Sequence, residues 1–208
     1  MKPAFVIVIN GASCAGKTTL AKAIQNCSSE PCLIVSLDQF RDSLPDRYRG
    51  MNSPDGTPGS LGLNIVPTQL NGTRATDIRF GKYGLAMLRG MRRAVSSLAH
   101  EGLNVVVDDL LIHPNHRDGY VDDLKGFRTI FVGVHCNLEE MERREGQREG
   151  RFPGTARTTL QQVHSGMRYD IEVDTSKATP HELAERVLKV LNQPKLQRAI
   201  DFIATSNR

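Results

Sequence analysis

Apolar positions along the chain form short continuous runs, and the stretches between them carry a helical period. The runs lie at 5–9, 32–37, 103–107 and 129–136, and Asp170-Ile171-Glu172-Val173 reads as a last short strand. Unbroken rather than alternating apolarity marks strands covered on both faces, as in a parallel sheet. Between the runs, Leu20, Ala21, Ala23 and Ile24 recur at helical spacing over 18–27, and Ser28-Ser29-Glu30-Pro31 stops them. The pattern over 77–100 predicts a long helix with Leu85, Leu88, Met91, Val95 and Leu98 on its packed face. Its Arg89, Arg92 and Arg93 are assigned to a solvated face, and Gly102 stands where the helix should end. His113-Pro114-Asn115-His116 opens a helix toward Leu124. Asn137 caps another over 138–151, which Phe152-Pro153-Gly154 breaks. Thr179-Pro180-His181-Glu182 is a capping box ahead of Leu183, Val187, Val190 and Leu191, and Leu196, Ile200 and Ile203 suit a short accessory helix. Strands alternating with helices predict an α/β fold, with about five parallel strands flanked by helices.

One region departs from this rhythm. Over 45–76 the composition shifts to Gly, Pro, Ser and Asn, with a single strand-like island at 61–66. So long a loop is uncommon inside a domain unless it is functional, so it reads as a substrate-side insert or flap, or else as a disordered surface excursion. A length of 208 residues suits one domain, 1–208, with 138–157 as a lid and 193–208 as a C-terminal extension.

Composition narrows the partners. The formal net charge is +4, but basic residues cluster only around 143–157, and Trp is absent. A base-stacking nucleic-acid platform is therefore not expected. Cys14, Cys27, Cys32 and Cys136 form no Cys-x-x-Cys pair and have no His at metal spacing, as in a reduced cytoplasmic protein. Met1-Lys2-Pro3 leads straight into the first strand, so no apolar leader is expected. No run approaches membrane-spanning length, so no membrane partner is expected.

The chemistry starts at the end of the first run. Gly11-Ala12-Ser13-Cys14-Ala15-Gly16-Lys17-Thr18, followed by Thr19 and the first helical pattern, fits the P-loop spacing Gly-x-x-x-x-Gly-Lys-[Ser/Thr]. Backbone this tight needs residues without a Cβ, so that N–H groups turn toward one anion at a helix N-terminus. Lys17 would reach the β- and γ-phosphates, and the Thr18 hydroxyl would hold Mg²⁺. Asp38 ends the second run and so faces the same crevice, and it also suits the N-cap of a helix over 39–44. Asp108 and Asp109 close the third run. Asp108 is the candidate to order Mg²⁺ through its water shell, while Asp109 either faces substrate or caps the next turn. His113 and His116 lack a third ligand nearby and read as loop residues. Arg144, Arg148 and Arg151, spaced four and three apart, share a helix face. Among so many glutamates they form either surface ion pairs or, as the cradle upstream favours, a lid over transferred phosphate.

The segments Asn10 to Thr18, Leu37-Asp38-Gln39-Phe40, Val107-Asp108-Asp109, Val132 to Cys136 and above all Val163 to Thr175 together resemble the chloramphenicol phosphotransferase family, in the same order, to about Leu191. The resemblance implies a P-loop fold of nucleoside-kinase type and transfer of the ATP γ-phosphate to a small-molecule hydroxyl. In the named case this is the primary 3-hydroxyl of chloramphenicol, which would confer antibiotic resistance. It also implies that Asp38 is the general base, that Lys17 and Thr18 keep their P-loop roles, and that Arg144, Arg148 and Arg151 are the lid arginines. Thr18 replaces a Ser, 45–76 does not match, and the tail after Asn192 is extra. The rival expectations are a kinase of a sugar nucleotide or other metabolite, including the zeta-toxin type, and a nucleotide-gated regulatory protein.

Overall fold

The first apolar run becomes β1 (Phe5–Gly11) in the computed structural model, which describes residues 4–148, 153–194 and 198–205. Every residue of β1 is buried, because it is the central strand of a sheet. In chain order there follow α1 (Lys17–Cys27), β2 (Cys32–Ser36), α2 (Leu37–Ser43), a 3₁₀ turn (Asp46–Tyr48), β3 (Arg49–Met51), α3 (Pro58–Leu61), β4 (Leu63–Leu70) and β5 (Thr73–Phe80). Next come α4 (Lys82–His100), β6 (Asn104–Asp109), α5 (Pro114–Asp123), β7 (Arg128–His135), α6 (Leu138–Gly146), α7 (Thr155–Val163), β8 (Ile171–Asp174), α8 (Pro180–Asn192) and α9 (Ala199–Thr205).

The predicted α/β sheet is present, five-stranded and parallel, in the order β2-β6-β1-β7-β8. Its register sets the site. Ile9 lies beside Asp108, and Asp108 beside Ser36, so the carboxyl ends of β1, β6 and β2 share one rim. Gly11 is forced by close packing there, since a Cβ would come within 2.5 Å of the Val134 carbonyl oxygen. Among the described residues no helix is long and apolar enough to cross a membrane.

Several expectations need correction. Much of the stretch 45–76 is ordered: β3 pairs parallel to β4, and β4 antiparallel to β5, forming a second, three-stranded sheet. The β4–β5 hairpin turns on Asn71 and Gly72, both at positive φ (52° and 76°), the geometry that Asn-Gly supplies to a two-residue turn. Pro67 obscures β4 in the sequence; it lies past the end of β3, where only β5 pairs with it and a missing donor is tolerated. The helix expected over 77–100 begins only at Lys82, because Asp77 to Phe80 are held by β4, with Leu63 opposite Phe80. Arg92 is not on a solvated face: it is 7% exposed and donates from Nε to Asp123 at 2.9 Å. Ser36, not Asp38, caps α2, in a reciprocal box with Gln39. The helix expected over 138–151 stops at Gly146, and α7 follows it unforeseen. The accessory helix forms as α9, with Leu196 outside the described residues.

Candidate active site

The chain leaves β1 at Gly11 and re-enters helix at Lys17 through a loop with Cys14 and Gly16 in the left-handed region, at φ 62° and 94°. Ser13, Cys14, Lys17 and Thr18 of this stretch line the cavity at the rim. Lys17 Nζ donates to the Ala12 carbonyl at 3.0 Å, and the Thr18 hydroxyl donates to Asp108 Oδ2 at 2.6 Å. Burial pulls the Lys17 pKa down, against the opposing pull of Asp108, Asp38 and Asp109. Burial likewise pushes Asp108 up, with Lys17 and Thr18 opposing. Two of the loop amides are already engaged, Ser13 N–H by Thr159 Oγ1 at 3.0 Å and Ala15 N–H by the Ala12 carbonyl at 3.2 Å. Ala12 and Ala15 pack into the core, and Thr19 lies exposed on the first turn of α1.

Asp38 sits in the first turn of α2 and lines one cavity with Lys17, Thr18, Asp108 and Arg148. Its Oδ1 accepts from Arg41 Nη1 at 2.7 Å. Arg41 also donates from Nε to Asp42, and Arg49 pairs with Asp42 and Asp46, so the arginines at this mouth already carry carboxylate partners.

Asp109 borders the same cavity, and its Oδ1 accepts from Leu110 N–H at 2.7 Å, but its other oxygen is turned inward. It is 1% exposed, and its Oδ2 accepts from His116 Nε2 and from the Tyr120 hydroxyl, both at 2.7 Å. Against the penalty of burial, the bonds from His116, Tyr120 and Leu110 N–H hold its pKa below the usual range. His116 is therefore not a loop residue but 2% exposed within α5. Its Nδ1 lies 3.2 Å from Arg92 Nη1, which can only donate, so Nδ1 accepts and Nε2 carries the proton given to Asp109.

Of the expected lid arginines, Arg144 reaches the cradle. Its Nη1 lies 3.4 Å from the Cys14 carbonyl and 3.3 Å from Thr175 Oγ1, while Nε donates to Glu140 at 2.7 Å. Arg148 lies exposed beyond the end of α6, and Arg151 is outside the described residues. Sequence reasoning missed Thr175, whose hydroxyl donates to the Ala15 carbonyl at 2.7 Å, and a wall of apolar side chains. Leu63 and Ile65 of β4 and Ile78 of β5 face the cavity with Leu37 and Leu110, and Ile65 stands directly opposite Ile78. The Asn71-Gly72 turn between alternating apolar residues is the signal that would have found them.

The residues present fit a nucleotide with a divalent cation. Gly16 admits no Cβ without strain, since one would lie 3.2 Å from Thr175 Cγ2 at a positive φ. Thr18 and Asp108 offer the hard oxygens that Mg²⁺ takes. Among the described residues no three His, Cys, Asp or Glu form a group that could hold a metal ion by themselves.

The family model described as chloramphenicol phosphotransferase-like protein matches residues 4–192. A protein of Mycobacterium tuberculosis (strain H37Rv), provisionally named O-phosphotransferase Rv2636, is 31% identical over 194 residues, covering 88% of this chain and 80% of that protein. A sugar kinase from Janibacter sp. HTCC2649 superposes with a TM-score of 0.61 at 19% identity, over 91% of this chain and 95% of its own. The Mycobacterium tuberculosis APS kinase CysC, in complex with AMPPNP and APS, gives 0.63 at 16% identity, over 93% and 100%. At such identities the two structures share the fold.

Proposed function

We propose that this kinase-type phosphotransferase, which belongs to the chloramphenicol phosphotransferase-like family, moves the γ-phosphate of ATP, with Mg²⁺, to a hydroxyl of a small molecule lying against β4 and β5. One observation carries the reading: the cavity that brings together Lys17, Thr18, Asp38, Asp108 and Arg148 has Leu63, Ile65 and Ile78 as its apolar side. Phosphoryl transfer needs little covalent help, so these groups act by position and charge. Lys17, released from the Ala12 carbonyl, balances charge on the transferring group, and Arg144 and Arg148 add forked donors from the far side. Asp38, steadied by Arg41, orients the acceptor hydroxyl and takes its proton. Thr18 and Asp108 would hold Mg²⁺, which when bound supplies charge neutralisation at the phosphate oxygens.

The acceptor follows from the wall and the mouth. An apolar side suits a body such as that of chloramphenicol. An anionic metabolite would have to displace the carboxylates that pair with Arg41 and Arg49. Incubation with Mg-ATP and a panel of chloramphenicol, other apolar alcohols, sugars and sugar nucleotides, followed by mass spectrometry, tests this. Phosphorylated apolar alcohols are expected. A product found only among sugar nucleotides would replace the acceptor assignment, and ATP turnover that no acceptor stimulates would favour a nucleotide-gated switch.

A further inference from the structure

Helix α7 is where the parts of the site meet. Its Thr159 hydroxyl accepts from the Ser13 amide of the phosphate loop, and its Thr158 hydroxyl donates to the Thr76 carbonyl of β5. Val163, at its last turn, accepts from Asn10 Nδ2 at 2.8 Å. Beyond its N-terminus, Thr76 Oγ1 donates to the Pro153 carbonyl at 2.8 Å, and a Cβ at Gly154 would fall 2.6 Å from Ala75 Cα. Cradle and acceptor sheet are thus both fastened to one helix.

The start of α7 has no cap of its own, because its N-cap residue is Gly154, at φ 88°. The missing acceptor comes from another helix. Glu145, near the end of α6 and 5% exposed, accepts from Gly154 N–H at 2.7 Å through one carboxylate oxygen and from Ala156 N–H at 2.9 Å through the other. Its backbone carbonyl accepts from Arg148 N–H at 3.1 Å. One residue therefore joins the start of α7 to the backbone of Arg148 and follows directly on Arg144.

We propose that Glu145 is a positioning residue for phosphoryl transfer: its carboxylate, by capping α7 from α6, fixes Arg148 relative to the cradle and the acceptor sheet. The choice of residue follows from the geometry. Two converging amide donors need two acceptor oxygens, which a carboxylate has and a carboxamide lacks, so a glutamine would turn an N–H toward one of the amides. The proposal rests on the phosphotransferase reading, and its test uses a probe that needs no acceptor.

Affinities for Mg-ADP, alone and with fluoroaluminate as a mimic of the transferring phosphoryl group, should be measured for wild type, Glu145→Gln, Arg148→Ala and the double variant. Glu145→Gln is expected to bind Mg-ADP within about twofold of wild type and to lose about tenfold in the gain that fluoroaluminate provides, an effect on the size of one misplaced charged donor. In the Arg148→Ala background the same substitution should cost nothing further, because the arginine it serves is gone. Losses that multiply across the cycle, or an unchanged gain, would overturn the assignment. If Glu145→Gln does not fold, Thr76→Val, which removes only the bond to the Pro153 carbonyl, carries the same cycle. A smaller loss confined to the protein that retains Arg148 is then expected, and an equal loss with and without Arg148 overturns the assignment. A wild type that binds no Mg-ADP would instead sink the phosphotransferase reading itself.

Discussion

The two sheets that meet at the cavity are built on different principles. In the parallel sheet, β1 and β6 are buried along their whole length, and each is specified by its own unbroken apolar run. The small sheet has half-exposed strands, pairs within itself through the local β4–β5 hairpin, and is tied to the rest of the fold by contacts distant in sequence. Asn64 bonds both the amide and the carbonyl of Ser53, and Thr76 and Thr158 stitch β5 to α7. The first sheet carries the cradle, and the second supplies the apolar wall. The proposed donor side thus lies on a fully buried sheet, and the proposed acceptor side on a half-exposed hairpin fastened to it at a few points, which leaves the latter freer to change its shape without loss of the fold.

The sharpest way to separate the two sides is to remove the cradle's cation. Lys17→Ala should lower kcat/KM on the order of a thousandfold for every acceptor tried. The melting temperature should hold, since the buried ammonium already bears a desolvation penalty. Acceptor-dependent loss would show that the ammonium belongs to the acceptor side. Asp38→Asn, on the boundary between the sheets, should reduce kcat on the order of a hundredfold with little change in the KM for ATP. Wild-type turnover in this variant would remove Asp38 from the role of base. Ile78→Ala acts on the wall alone, so the acceptor KM should rise about tenfold while the KM for ATP stays put. A shift in both would mean that the wall also shapes the donor site.

The smallest expected effect concerns the donor side and pH. His164 accepts or donates at Nδ1 with the Tyr169 hydroxyl at 2.7 Å, and that hydroxyl in turn accepts from Asn10. Burial, aided by the stacked His135 ring, pulls the His164 pKa from 6.5 down to about 4. The unfolded chain therefore takes up a proton near pH 6.5 that the folded chain resists until about pH 4. The stability His164 contributes is full above pH 6.5 and is lost as pH falls toward 4. Melting curves across this window should flatten in His164→Gln, with acceptor KM unaffected. Equal acid sensitivity in variant and wild type would contradict the linkage.

The legible part of the site was the part whose signals are local. Gly11, Gly16, Lys17 and Thr18 sit in one short segment, and Asp38 and Asp108 follow apolar runs whose parallel register brings them to a common rim. The functions of Asp109, His116 and Arg92 were not legible, because their hydrogen bonds join β6, α5 and α4. Helix α7 was missed for a similar reason: its N-terminus is capped by Glu145 from another helix rather than by a residue of its own.

By itself, then, the sequence determined the layered α/β sheet and the proposed phosphate cradle, because apolar periodicity and glycine spacing act over a few residues, and it pointed to the family through segments such as Val163 to Thr175 that resemble it. Only the tertiary structure decided that Asp109, beside the acid already singled out to meet Thr18, is locked away with His116. It also decided that the β4–β5 hairpin packs with Ile65 and Ile78 facing the cradle across one cavity. These outcomes depend on register and on buried polar groups finding partners far along the chain, and neither is encoded in any single segment.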